Sequence, residues 1–185
     1  MILAPRSHGF HALLLGTLIA VLWPATGRAE ECLKQVFNRF CLGGDARALA
    51  AQQPPELRIP EGERLGLVYS DGLGRLFVMS QQERIYKVLR QYRDEGLHQF
   101  EEVRDAVSAK YGPAEDHSQF PPELPPALAN RVGAIRRGEA RILMVWKPQA
   151  EPWRLELIWA RESGITLAYI ASQLEPAATP PKADL

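Results

Sequence analysis

This sequence is poor in the motifs on which many enzymes depend. The Gly-x-Ser-x-Gly pattern of many serine hydrolases is absent, and so is the Walker loop that binds a nucleotide phosphate. Gly72-Leu73-Gly74 lacks the third glycine and the following helix of a dinucleotide site, so it predicts a hairpin turn. We therefore expect no cofactor, and the sequence leans away from an enzyme.

Histidine is scarce as well, with four residues in a chain of 185. His98 and Glu102 lie four positions apart on a predicted helix, but a metal site needs further ligands, so we interpret them as part of a solvated helix face. Asp116-His117-Ser118 is interpreted as a polar loop, because adjacent loop residues point in different directions. We expect no metal site.

The charge is balanced, with 22 Lys and Arg against 22 Asp and Glu. This balance gives no reason to expect nucleic acid or an anionic membrane as a partner. After the first residues, no segment is long and apolar enough to span a bilayer. We expect one domain, because the length is suited to a single core.

Residues 1–29 have the order of a secretory signal peptide. A short basic start is followed by an apolar run over residues 12–23, and Gly27-Arg28-Ala29 offers small residues at a cleavage site. The apolar run is shorter than the roughly 20 residues of a membrane-spanning helix. We predict cleavage near Ala29 and a mature protein in the periplasm or secreted. Removal of two arginines leaves that protein with a charge of 20 − 22 = −2.

The two cysteines, Cys32 and Cys41, raise a conflict with the local pattern. In an oxidising compartment two cysteines usually pair. Apolar residues at helical spacing, however, predict a helix over residues 33–42. Nine residues of continuous helix would separate the cysteines by about 13 Å, too far for a disulfide. We favour the disulfide, with the helix shortened or broken, over two free thiols.

The remaining elements indicate an α+β protein with an antiparallel sheet and helices packed on one face. Two units are expected, each with the order helix, helix, strand, strand, strand. They form pseudo-repeats over residues 30–93 and 94–174 of a single domain, followed by a flexible tail over 175–185. Predicted helices cover residues 33–42, 46–51, 97–111 and 126–137, and predicted strands cover residues 64–70, 75–80, 84–92, 140–147, 153–161 and 165–172.

This order resembles a known family of exported modules. Two helices followed by three antiparallel strands are similar to the outer-membrane assembly lipoproteins called SmpA or BamE, and two such units in tandem resemble the β-lactamase inhibitor protein. The resemblance is carried by two short runs, Phe40-Cys41-Leu42-Gly43-Gly44-Asp45 and Lys110-Tyr111-Gly112-Pro113. The chain departs from the lipoproteins at Cys32, because Glu30 and Glu31 do not suit a lipid-attachment site.

The resemblance implies a binding module, and basic and aromatic residues supply candidates for its surface. Arg and Trp are favoured at the centres of protein interfaces. We predict another envelope or secreted protein as partner, bound by the sheet face that the helices leave free. The alternatives are ordinary surface charge, a periplasmic hydrolase using His117 or scattered acids, and a structural envelope factor. The candidate partner-binding residues are Arg136, Arg137, Trp146, Arg154 and Glu156.

Overall fold

A computed structural model describes residues 32–125 and 127–177. The predicted signal peptide lies outside the described residues, and so does the tail beyond residue 177. The described elements are β1 (Lys34–Val36), β2 (Phe40–Leu42), α1 (Ala46–Gln52), β3 (Leu57–Glu61), β4 (Arg64–Asp71), β5 (Gly74–Gln81), β6 (Arg84–Tyr92), α2 (Leu97–Tyr111), β7 (Glu115–Asp116), α3 (Leu128–Arg137), β8 (Ile142–Trp146), β9 (Trp153–Ala160) and β10 (Gly164–Ala171).

A large antiparallel sheet organises the described chain, as expected for an α+β protein. Its eight strands run in the order β3-β4-β5-β6-β10-β9-β8-β7. The two halves of the chain meet where β6 pairs with β10, in a register that sets Leu89 opposite Ala168. The expected helix-helix-strand-strand-strand units are not confirmed, because the first half begins with a hairpin. The division into pseudo-repeats stays a prediction.

The predicted helix over residues 33–42 is wrong, because this segment is the hairpin β1–β2. Phe37 and Asn38 have φ values of 50° and 54°, and this left-handed backbone turns the chain so that Val36 faces Phe40. The turn brings the Cα atoms of Cys32 and Cys41 to 5.4 Å, and the two residues form a disulfide. The expected pairing is therefore confirmed, and it is the hairpin that resolves the conflict.

An unpredicted strand, β3, forms one edge of the sheet. Its five residues are all exposed, and it pairs on one side with β4. Pro54, Pro55 and Pro60 are typical of an irregular link, but an edge strand tolerates Pro60 because one side of its backbone makes no ladder. By contrast, α1 begins as predicted, with the Asp45 carboxylate accepting hydrogen bonds from the backbone N–H groups of Arg47 and Ala48.

All three helices contact the same face of the sheet. For α1, the Ala50 and Gln53 carbonyls accept hydrogen bonds from Arg58 and from Tyr69. For α2, the Phe100 ring stacks on Trp159 at 5.5 Å between centroids. For α3, Ala134 and Ile135 join the same core. The buried residues of β9 are Trp153, Leu155, Leu157 and Trp159. The opposite face, which we call the open face, is contacted by none of the helices within the described residues.

Candidate functional site

The strand register assigns side chains to the open face. Cross-strand partners in an antiparallel sheet point to the same side, so each line of partners defines a row that crosses the strands. A first row runs through Leu57, Val68, Phe77, Leu89, Ala168, Glu156 and Val145. A second row runs through Ile59, Gly66, Met79, Lys87, Ile170 and Arg154. Apolar residues dominate one end of both rows, and charges appear at the other.

At the charged end of the open face, the charged side chains form ion pairs with one another. Arg154 donates from Nε to Glu156 at 2.8 Å and from Nη2 to Glu175 at 2.8 Å. Burial acts to lower the pKa of Arg154, but the hydrogen bonds to the two carboxylates outweigh it and raise the pKa. The turn that carries Glu175 also brings Ser172 Oγ within 3.4 Å of Arg154. This end of the face is therefore satisfied without a partner.

The other end, on strands β3–β6, exposes apolar surface. Leu57 and Ile59 are 54% and 50% exposed, although large aliphatic side chains are usually buried. Half-buried Phe77, Met79 and Leu89 continue the surface inward. We call the six residues Leu57, Ile59, Phe77, Met79, Tyr86 and Leu89 the apolar patch.

Tyr86 joins the apolar patch through a bulge in the strand pairing. Met79 faces Lys87 and Ser80 faces Ile85, so Tyr86 is the extra residue of β6. Its hydroxyl lies 3.8 Å from the Met79 sulfur, which places the ring on the open face. Burial is the main cause of the raised pKa of Tyr86, so the hydroxyl stays protonated at neutral pH.

A groove of about 210 Å³ runs through the apolar patch. Gly66 forms its floor, because the missing side chain leaves space between Ile59 and Met79 in the second row. A Cβ built on Gly66 would lie 3.5 Å from the Ile59 Cβ, an ordinary van der Waals contact. Glu61 and Arg64 line the polar rim. The groove can accept a side chain from outside, and a larger residue at position 66 would fill it.

Two cations border the apolar patch. Lys87 lies in the second row between Met79 and Ile170. Arg75 lies two residues before Phe77 on β5 and is exposed. Among the described residues neither makes an ion pair, whereas Arg154 nearby makes two. The open face thus presents apolar surface together with unsatisfied positive charge.

Trp146, one of the predicted partner-binding residues, lies in the core. It is 1% exposed, and its Nε1–H donates to the Gly112 carbonyl at 3.0 Å. Gly112 ends α2, so this hydrogen bond ties β8 to the helical layer. The side chain is out of reach of a partner in this structure.

The other four predicted residues fall into two separate places. Arg154 and Glu156 lie on the open face, where they bind each other. Arg136 and Arg137 lie in the last turn of α3, and Arg137 makes two hydrogen bonds to Glu139. These residues do not form one surface, because α3 packs on the opposite side of the sheet.

The basic residues of β6 are also divided between the two faces of the sheet. Lys87 lies on the open face, whereas Arg90 points to the helical side, where it pairs with Asp71 and stacks on the Phe37 ring at 4.2 Å. Burial acts to raise the pKa of Asp71, but hydrogen bonds from the following turn and from Arg90 outweigh it and lower the pKa. We interpret Arg90 as a structural cation that holds the hairpin turn.

The two histidines among the described residues, His98 and His117, each lie in an exposed pair with a glutamate. His117 Nε2 lies 3.1 Å from the Glu115 carboxylate, which also binds Lys147 at 2.8 Å. These hydrogen bonds, led by that of Lys147, lower the pKa of Glu115. Ser118 Oγ accepts from the Leu143 backbone N–H at 3.2 Å. Asp116-His117-Ser118 is therefore not arranged as a triad in which the hydroxyl bonds to the imidazole.

Sequence reasoning missed Phe77 and Met79 as surface residues. A signal was present in β5, where Leu76 and Val78 alternate with Phe77 and Met79, so both faces of the strand are apolar. In a sheet with helices on one side only, the second apolar set must meet solvent or a partner. The bulge at Tyr86 leaves no such mark in the sequence.

No group of three or more potential metal-ligating side chains occurs within residues 32–125 and 127–177. In the same residues, no helix has the length and apolar character needed to cross a membrane.

Comparisons with known proteins assign no family. No family model matches the chain, and no curated protein matches it. Two solved structures match with a TM-score of 0.38: a cysteine-rich secretory protein from Staphylococcus aureus subsp. aureus Mu50, at 10% identity, and an extracellular protein containing an SCP domain from Bacillus anthracis str. Ames, at 12% identity. The matches cover 71% and 86% of this chain, and 45% and 57% of those chains.

These comparisons correct the family resemblance drawn from the sequence. The matched structures are SCP-type proteins and not SmpA, BamE or the β-lactamase inhibitor protein, so that resemblance is wrong. The physical reason lies in the hairpin β1–β2, which stands where those modules would have their first helix. The chain is an α+β protein with a disulfide, similar at low identity to parts of extracellular proteins.

Proposed function

We propose that this chain is an exported, non-enzymatic protein-binding module whose contact surface is the apolar patch. The observation that carries the proposal is the patch itself, with two exposed aliphatic residues next to half-buried Phe77 and Met79 around a groove. Contiguous exposed apolar surface with a polar rim is typical of protein interaction sites. A sheet face also offers a rigid platform, because backbone hydrogen bonds hold its side chains in place.

Two observations support the location in the periplasm or outside the cell. The Cys32–Cys41 disulfide is of a kind that persists in oxidising compartments and is rare in the cytosol. The order of residues 1–29 is that of a secretory signal. Determining the N-terminal residue of the purified exported protein tests the location, and a start near Glu30 is expected.

Photo-cross-linking tests the contact surface directly. A photoreactive phenylalanine analogue replaces Phe77, which lies in the apolar patch. In a matched control the same analogue replaces His98, whose side chain is 85% exposed on α2. After illumination in the native envelope, we expect a discrete protein adduct from position 77 and none from position 98. Equal labelling at both positions, or no adduct at position 77, would contradict the proposed surface.

The alternatives make different predictions in the same cells. A hydrolase that uses His117 would lose its activity in the His117→Ala variant and keep it when residue 77 carries the analogue. A structural envelope factor would give general envelope fragility on deletion, with no discrete adduct at either position. The cross-link at position 77 therefore separates a binding module from both.

A further inference from the structure

We infer that the partner of the open face is an acidic polypeptide segment. It places a large apolar side chain in the groove above Gly66 and a carboxylate against Lys87. This inference rests on the proposed function and names the chemistry of the partner. It follows from three features of the open face: the groove, the charge of its border and the closed ion pairs beside it.

The groove selects for an aliphatic or aromatic side chain. Ile59 and Met79 form its walls and Tyr86 closes one side, with the only polar group of that ring directed at the Met79 sulfur. An apolar side chain gains by leaving water there, whereas a polar one would lose hydrogen bonds that these walls do not replace. A volume of about 210 Å³ suits a single side chain.

Lys87 determines the sign of the charge that we expect on the partner. It stands next to Met79 in the second row, so a segment that covers Met79 also covers Lys87. Desolvating an ammonium group without a partner is costly, and that cost is relieved by an opposing carboxylate. The neighbouring acids Glu156 and Glu175 already bind Arg154, so they are engaged elsewhere. Glu61, the acid on the rim of the groove, lies opposite Arg64 in the strand register. A carboxylate of the bound segment would relieve the cost at Lys87.

Arg75 is a second cation beside the apolar patch, and it too would be neutralised by a carboxylate of the partner. Along β5 it lies four residues before Met79, the row partner of Lys87, with Phe77 between them. Four residues of strand span about 14 Å, so the two cations lie that far apart along the strand direction. An extended segment that runs along β5 from the groove would therefore meet Lys87 beside its apolar residue and Arg75 further along.

Selection from a displayed library of short random peptides tests this chemistry. The purified, disulfide-bonded protein is the target, and enriched peptides are then measured against variants. Gly66→Val fills the groove with an ordinary contact to Ile59, so the fold is expected to survive. Gly72→Val is the matched control, because Gly72 lies in the β4–β5 turn with open space around it. Lys87→Glu reverses the charge, and Lys87→Arg preserves it.

We expect the enriched peptides to combine a large apolar residue with Asp or Glu. Binding should weaken about tenfold or more in Gly66→Val and Lys87→Glu, and stay near the wild-type value in Gly72→Val and Lys87→Arg. A peptide with its acid changed to lysine should prefer Lys87→Glu over the wild type. This exchange of preference identifies a direct charge contact, which a general loss of folding would not produce.

The outcomes separate this inference from the proposed function. Peptides that lose affinity in Gly66→Val but carry no acid, or bind Lys87→Glu as well as wild type, refute the acidic partner and leave the binding surface intact. A selection with no binder sensitive to Gly66→Val overturns both. Circular dichroism of each variant shows that a loss of binding is not a loss of fold.

Discussion

Removing the disulfide tests how strongly the N-terminal hairpin depends on a covalent staple. The double variant Cys32→Ser, Cys41→Ser keeps both side chains small and polar and removes the cross-link. The cysteines lie nine positions apart, and the loop-closure relation gives about 2.7 kcal/mol for a ring of roughly ten residues. We expect the free energy of unfolding to fall by about that amount.

Urea denaturation followed by tryptophan fluorescence measures the change. For a chain of this size, a loss of about 2.7 kcal/mol corresponds to a Tm lower by about 5–11 °C. The wild-type protein with a reducing agent is the control, because it loses the same cross-link without a change of sequence. We expect the effect on the folded state to be local, because the buried core residues Val36, Phe40 and Leu42 are unchanged in the variant and in the reduced protein.

Two results would refute this reasoning. A loss below about 1 kcal/mol in both the variant and the reduced protein would show that the unfolded chain gains little freedom on reduction. Two titratable thiols in the exported protein would show that Cys32 and Cys41 are not paired there. In either case the hairpin would have to be held by its core contacts and by the hydrogen bond from Gly43 to the Ile85 carbonyl.

Three further predictions address the core and the charges. Since the pKa of Asp71 is lower in the folded state, its ion pair stabilises the protein above about pH 4. That contribution is lost as pH falls through the folded pKa, so in urea titrations Asp71→Asn should flatten the acid decline of stability. In Gly74→Ala the new Cβ would clash with the Gln91 carbonyl oxygen, and the free energy of unfolding should fall by roughly 1–3 kcal/mol, with Gly72→Ala as the unaffected control. Trp146→Phe removes a buried hydrogen bond and should cost roughly 1–3 kcal/mol by the same assay, while peptide binding to the open face stays unchanged; weaker binding at full stability would contradict a core role.

The sequence correctly predicts the elements whose residue pattern is compatible with only one type of secondary structure. The alternation in β9 fits a strand and no helix, and the capped helix α1 is signalled by Asp45. The hairpin β1–β2 was missed because Val36, Phe37 and Phe40 satisfy a helical spacing, while Phe40 and Leu42 also satisfy a strand spacing. The chain forms a hairpin here because Phe37 and Asn38 adopt positive φ values in the turn. Neither residue is a glycine, so no glycine in the sequence signals this turn.

The candidate site was predictable as a face and not as a set of residues. The expectation that the helix-free side carries Arg154 and Glu156 follows from alternation within a single strand. The neighbours of Lys87 depend on the pairing of β6 with β10, which is a contact between distant parts of the chain. The pairing of distant strands cannot be predicted from the periodicity of a single segment. The burial of Trp146 was not predicted for the same reason.

The central position of β10 has a consequence for how the chain reaches its folded state. β10 is the last strand described, and it fills the place between β6 and β9, with Leu89 pairing to a residue roughly 80 positions later. A sheet without β10 leaves the facing edges of β6 and β9 unpaired, so stable closure must await β10. We expect a nascent chain to remain open until β10 is made. Such slow closure would suit a protein that crosses a membrane unfolded and folds on arrival.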